Sequence, residues 1–242
     1  MPFTTGKIKA LCFDFGNTLI EFGPKQVARQ YSVLERTLTE LFGSCDAARL
    51  KIIRDRQIAA PLNNSCREST LESLCSELIH EIYGVTPEKS HVDTLVQTRY
   101  ESFVNVVKLP DGVLSLLNKL SGRYCFGFLS NYPCGRSIRD SLKKIGLLNV
   151  FKTIVVSGDV GYVKPHARPF ETMLSQLDFS PSECVYIGDN WVADVQGSKK
   201  MGMNSIFTTQ YVPYEIFKPA KGDFSPDARI NHLDELERLM LP

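Results

Sequence analysis

The chain has 242 residues, with 28 Lys or Arg against 27 Asp or Glu and a formal charge of +1. That length can bury a sizeable core, as one α/β domain with an insertion or two modest domains, and it argues against disorder. The balanced charge leaves no broad footprint for nucleic acid or an anionic membrane, so any anion must be caught by a local site. Seven cysteines (Cys12, Cys45, Cys66, Cys75, Cys125, Cys134 and Cys184) follow no metal-like spacing, and several sit in apolar runs where Cys packs as a small hydrophobe. A reducing cytosol suits that pattern. The N-terminal apolar run is too short for a signal-peptide core, and eighteen apolar residues never run together. The sequence therefore predicts a soluble, cytoplasmic protein, monomeric or homodimeric, with no nucleic-acid or membrane partner.

Short β-type runs recur at Ile8 to Phe13, Tyr124 to Leu129, Thr153 to Val156, Cys184 to Ile187 and Asn204 to Phe207. Polar or Gly-containing punctuation follows each, and a helical stretch follows all but the first. The alternation predicts a doubly wound parallel sheet with helices on both faces, of the α/β class, with its chemistry at the carboxyl ends of the strands. Between the first two strands lie about a hundred residues of helical patterning. Val27, Tyr31, Leu34, Leu38 and Leu41 trace one apolar face, as do Leu71, Leu74, Leu78 and Ile82, with Val92 to Phe103 a less regular third case. A helical domain over 22–107 is therefore expected inside a core made of 1–21 and 108–242. Glu21 to Pro24 read as the hinge into it. Pro110 to Gly112 restart the core with a helix over Val113 to Leu120, and Tyr211 to Pro226 read as a loop or flap before a final Leu-rich helix.

Each strand end carries polar chemistry. The first opens through Asp14-Phe15-Gly16-Asn17-Thr18, placing a carboxylate where burial is costly unless it is paired or bound to metal. The second ends in Ser130-Asn131, ahead of a helix whose N-terminus favours an anion. After the third, Gly161 to Pro165 fix Lys164 on a turn. After the fourth, Gly188 to Asp194 supply Asp189 and Asp194, an oxygen-ligand pair suited to Mg²⁺. Taken singly, these features also read as caps or solvated charges; together they supply a nucleophile, a hydroxyl clamp, a cation and metal ligands for phosphoryl transfer.

On these four motifs the sequence resembles the haloacid dehalogenase superfamily over nearly its whole length, the helical insertion standing where that superfamily places its C1 cap. The resemblance implies a Rossmann-like core and a Mg²⁺-dependent hydrolase. Asp14 would attack phosphorus to give an aspartyl-phosphate. Ser130, Asn131 and Lys164 would hold the small phosphorylated substrate, and Asp14, Asp189, Asp194 and the Gly16 backbone carbonyl would hold the metal. A carboxylate attacks a charged phosphate only when cations offset the repulsion, which makes Lys164 and Mg²⁺ required company for Asp14.

Phosphatases of that superfamily carry a second Asp two residues after the nucleophile, where this chain has Gly16. A positioned acid/base is worth about 10²–10⁴-fold. One reading is a phosphatase whose leaving groups need little protonation, or whose acid comes from the cap or the substrate. Another is a haloacid- or phosphonate-cleaving branch, the latter using a cap lysine such as Lys25 or Lys51; Asp189 and Asp194, as metal ligands, oppose dehalogenation. The third is a catalytically impaired protein that binds a phospholigand or a partner. Trp191 is expected either at the substrate entrance or packed on the core, and Arg54, Arg56 and Arg67 either on an anionic substrate or in solvent. His166 reads as a substitute acid or a helix-start residue. Asn17 can orient water without replacing an acid.

Overall fold

The computed structural model describes residues 5–213 and 219–241. Six strands, β1 (Ala10–Phe13), β2 (Cys125–Ser130), β3 (Thr153–Val156), β4 (Cys184–Gly188), β5 (Asn204–Thr208) and β6 (Ala228–Ile230), form one parallel sheet in the order β3-β2-β1-β4-β5-β6. The sixth strand is additional to the five expected from sequence. It has three residues, too few to show a period of its own, and it adds to the edge through Ile206, Phe207 and Thr208. The chain steps outward from β1 to β3, returns, and steps outward again from β4 to β6. The direction therefore reverses between β1 and β4, where such sheets open a crevice at their carboxyl ends.

Alternation along β1 explains the two layers around the sheet. Leu11 and Phe13 enter one apolar cluster with Leu117 and Leu120 of α5 (Val113–Ser121), Ile138 and Leu142 of α6 (Gly135–Lys144), and Leu236 and Met240 of the final helix Glu235–Met240. Ala10 and Cys12 enter the other, against Phe170, Met173 and Leu177 of the helix Ala167–Leu177. That helix packs tightly because Gly127 has no Cβ: one placed there would lie 3.1 Å from both Cys12 Sγ and Leu177 Cδ1. All seven cysteines are free thiols. Among the described residues, no helix is long and apolar enough to cross a membrane.

Four helices, α1 (Pro24–Phe42), α2 (Ala47–Asn63), α3 (Leu71–Tyr83) and α4 (Lys89–Val106), stand between β1 and α5. They share an apolar cluster of their own, with Leu34 and Leu38 meeting Leu50, Ile53, Leu71, Leu78 and Leu95. Helix α2 is the one that sequence periodicity missed. Its buried positions are Leu50, Ile53, Gln57 and Pro61, while Ile52, Ile58 and Leu62 are exposed, so no single apolar stripe marks it. Its start is nonetheless set locally, by the Asp46 side chain accepting from Arg49 N at 3.0 Å. Helix α4 is anchored to the core. Phe103 packs 4.0 Å from the Tyr132 ring, Tyr100 donates to Asp140 at 2.7 Å, and Lys144 Nζ donates to the Val104 and Asn105 carbonyls at the helix end.

Candidate active site

Lys164 is the organising cation at the sheet edge. It is 2% exposed, and its ammonium donates to Asp14 Oδ1 at 2.6 Å, Asp194 Oδ1 at 2.7 Å, the Tyr186 phenol at 2.7 Å and the Leu129 carbonyl at 3.1 Å. Burial opposes its charge, but Asp14 and Asp194 outweigh that and raise its pKa. Its backbone is held from the neighbouring strand end. The Asn131 side chain accepts from Lys164 N at 2.8 Å and donates to Lys164 O at 3.0 Å. Asn131, expected to contact substrate, positions the lysine in this structure. The Lys164–Pro165 peptide is cis.

The acids arrive from β1 and β4. Asp14 follows the last residue of β1 and is tied to β4 by its N–H donating to the Ile187 carbonyl at 3.0 Å. Beyond β4 the chain enters a π-helical turn, Trp191–Gln196, begun by the Asn190 side chain accepting from Val192 N and Ala193 N. That wider turn swings Asp194 back over the strand end, where Oδ2 accepts from Asn190 N at 2.9 Å. Gly188 leaves the space, since a Cβ there would collide with the Asp194 carboxylate. Carboxylate oxygens of Asp14, Asp189 and Asp194 lie within 4.8 Å of one another. Burial, Asp14 and Asp194 push Asp189 up to about 8; burial pushes Asp194 up to about 6, against the pull of Lys164. Three carboxyl groups around one ammonium leave a deficit of positive charge, and an all-oxygen donor set with that deficit fits a hard divalent cation.

Thr18 Oγ1 lies 3.4 Å from Asp189 Oδ1. Ser130, the last residue of β2, is buried at the same edge. Gly16 lies in a tight turn closed by Asn17, whose φ of +57° is a left-handed conformation that Asn tolerates. Asn17 Oδ1 accepts from Phe22 N at 3.0 Å and ties the turn to the start of the helical insertion.

A cavity of about 450 Å³ lies between this edge and the helical insertion. Asn131, Lys164 and Asn190 line its core side; Tyr31, Arg54, Gln57, Glu68 and Arg99 line it from the insertion. Of the residues weighed from sequence, several lie elsewhere. Trp191 packs on Phe207 with centroids 5.7 Å apart and donates to Asp223 at 2.9 Å, within the segment expected as a flap. Residues 214–218 of that segment fall outside the described residues. His166 caps the helix Ala167–Leu177, accepting from Arg168 N, and stacks on Tyr162. Lys51 pairs with Asp55 on the outer face of α2, Lys25 lines a separate recess beside Lys108, and Arg56 holds Glu77 and Glu81. Arg67 stacks over Tyr162.

Sequence reasoning missed Tyr186, Gln57, Glu68 and Arg99. Two of them carried a signal: Tyr186 is the polar-tipped residue in an apolar strand, and Arg99 sits midway between Leu95 and Phe103 on the buried stripe of α4.

A doubly wound parallel sheet with a lysine-bridged cluster of acids at its switch point places the molecule among α/β proteins that carry their chemistry at the carboxyl ends of the strands. The family model for haloacid dehalogenase-like hydrolases matches residues 12–208, and the chain belongs to that family. A glyceraldehyde 3-phosphate phosphatase from Methanopyrus kandleri is 24% identical over 95% of both chains. Among solved structures, Bacillus subtilis YfnB bound to magnesium aligns with a TM-score of 0.70 at 22% identity, covering 97% of this chain and 99% of that one. A 2-haloacid dehalogenase from Pseudomonas syringae pv. Tomato DC3000 aligns at 0.74 and 22%, covering 96% and 98%. The fold is thus shared by relatives of different activity, and the residues at the site must decide between them.

Proposed function

We propose that this hydrolase is a Mg²⁺-dependent phosphatase acting on a small phosphorylated molecule, with Asp14 as nucleophile. The cluster of Asp14, Asp189 and Asp194 around Lys164 carries the reading, because dehalogenation has no use for a charge deficit that a divalent cation would fill. Asp14, Asp189, Asp194 and the Gly16 carbonyl would hold Mg²⁺, which when bound neutralises phosphoryl oxygens. Asp14 attacks phosphorus, and the bond to the leaving oxygen breaks, giving an aspartyl-phosphate that water then hydrolyses. Lys164 offsets the negative charge of both partners; Ser130 and Asn131 stand beside it to orient the transferring group. The helices over 22–107 act as a cap, excluding water from this step.

The proton that Gly16 cannot supply comes from elsewhere in this reading. Among the described residues lining the cavity, Glu68 is the only carboxyl group, and burial raises its pKa. Glu68→Gln is expected to remove the alkaline limb of the pH–rate profile, where a donor has lost its proton, beyond any general fall in rate, if this group donates to the leaving oxygen. A phosphonate branch using a cap lysine is disfavoured by position, since among the described residues lining the cavity the one lysine is Lys164, which belongs to the core.

Rapid-quench labelling with a ³²P-phosphorylated substrate and Mg²⁺ tests the main reading. Label should appear on Asp14, and Asp14→Asn should lose both label and turnover, the latter by about 10⁴-fold or more. Chloride release from 2-haloacids without Mg²⁺ would overturn the phosphatase reading.

A further inference from the structure

The far wall of the cavity is built by α2 and α4 and carries cations that the chemistry above does not use. Arg99 is 5% exposed, and its polar side-chain contact is a weak one, from Nη1 to Cys75 Sγ at 3.8 Å. Arg54 lines the same wall, and its Nε is buried without a hydrogen-bond partner. Among the described residues neither guanidinium forms an ion pair, whereas Arg56, two positions along α2, holds two glutamates. Burial and the neighbouring Arg99 lower the Arg54 pKa to about 10.

Gln57 completes the wall. It is 5% exposed, and its amide nitrogen donates to the Leu74 carbonyl at 2.9 Å and to Glu77 at 3.1 Å. Its Oε1 is buried with no donor. Glu68 faces the cavity too, but its carboxyl is engaged by Ser157 Oγ at 2.6 Å and by Ser69 N, so it acts on Arg99 through space and pairs with neither arginine by contact. The Tyr132 phenol is held neutral, its pKa pushed up to about 12 by burial. A buried guanidinium without a contacting carboxylate and a buried amide oxygen without a donor are each costly to leave in the free protein. A ligand supplying both an anion and a donor would satisfy both.

We infer that Arg54, Arg99 and Gln57 form a subsite for a second anionic group on the substrate, a carboxylate flanked by a hydroxyl or amino donor. The substrate class is then a phosphorylated small hydroxy- or amino-carboxylic acid, an assignment that rests on the phosphatase reading above. Guanidinium forks match a carboxylate edge, and the neighbouring donor fills the vacancy at Gln57 Oε1. The cavity volume of about 450 Å³ restricts the body between the two anions to a small one.

Calorimetric titration in Mg²⁺ on an Asp14→Asn background, which separates binding from turnover, tests this with three probes: 3-phosphoglycerate, O-phosphoserine and carboxylate-free glycerol 1-phosphate. The carboxylated esters should bind about tenfold tighter or more, and the advantage should fall towards unity in Arg54→Gln and Arg99→Gln. Arg99→Lys, which keeps the charge without the fork, guards against a misfolded Arg99→Gln and should retain part of the advantage. Equal affinity for all three probes would overturn the subsite. So would equal losses for all three in the arginine variants, which would put the guanidiniums on the phosphoryl group instead. Discrimination without turnover by the unmutated enzyme would sink the phosphatase reading alone, turnover without discrimination would sink the subsite alone, and no binding by any probe would sink both.

Discussion

Two regions of this molecule bury cations, and they do so in opposite ways. At the sheet edge Lys164 is surrounded by acceptors, and the acids outnumber it. Across the cavity Arg54 and Arg99 form no ion pair among the described residues, and two guanidiniums face the single carboxyl group of Glu68, so positive charge is in excess. One side lacks a cation and the other lacks an anion. Neither region balances its own charge, which is what the proposed divalent metal at the edge and the proposed anionic substrate reaching to the arginines would supply. The difference teaches that burial alone does not identify a functional cation; the direction in which its neighbourhood is out of balance does.

The comparison is sharpened most by restoring an acid at the edge. Gly16→Asp should raise turnover of ordinary alkyl phosphates by about 10²–10⁴-fold, measured at saturating Mg²⁺. The substitution is tight but open to relaxation, since a Cβ at Gly16 would sit 3.3 Å from the Phe22 Cβ. No gain would mean that another group, with Glu68 first in line, already performs the proton transfer.

The charge deficit at the edge predicts a coupling between pH and metal. In the metal-free protein Asp189 keeps its proton up to about 8, far above its ordinary value of 3.8, and Asp194 up to about 6. The unfolded chain releases those protons first, so this part of the stability is present at acidic pH and lost as pH rises towards 8. Thermal melts should therefore show a Mg²⁺-induced rise in Tm that is larger at pH 8.5 than at pH 5.5. A rise independent of pH would remove the carboxylate cluster from consideration as the metal site.

The smallest effect is expected on the other wall. Arg54→Met removes an uncompensated charge while keeping much of the side-chain volume, and should stabilise the ligand-free protein by about 1 kcal/mol while weakening substrate binding. Loss of stability would show that Arg54 is balanced within the free protein and would break the contrast between the two regions.

Much of the edge was legible in the chain. Asp14, Ser130, Lys164, Asp189 and Asp194 each follow an apolar run of strand length, and parallel strands bring their carboxyl ends to one side of the sheet whatever the details of packing. The strands themselves were readable to within two residues, apart from β6. The opposite wall was not legible. Arg54 was visible as a residue but indistinguishable from the solvated Arg56, because which side of α2 is buried depends on α3 and α4. Trp191 and His166 stand next to site residues in sequence yet turn away from the cavity, one into β5 and the other onto Tyr162.

By itself the sequence determined the fold class, the family and the identity of the groups at the sheet edge, because strand ends converge by topology and need only local pattern to be located. The tertiary structure alone decided that Asn131 braces Lys164, that a π-helical turn returns Asp194 to the same ammonium, and that two arginines share one cavity wall. Those facts depend on packing between helices far apart in the chain, and a charge has no environment until that packing exists.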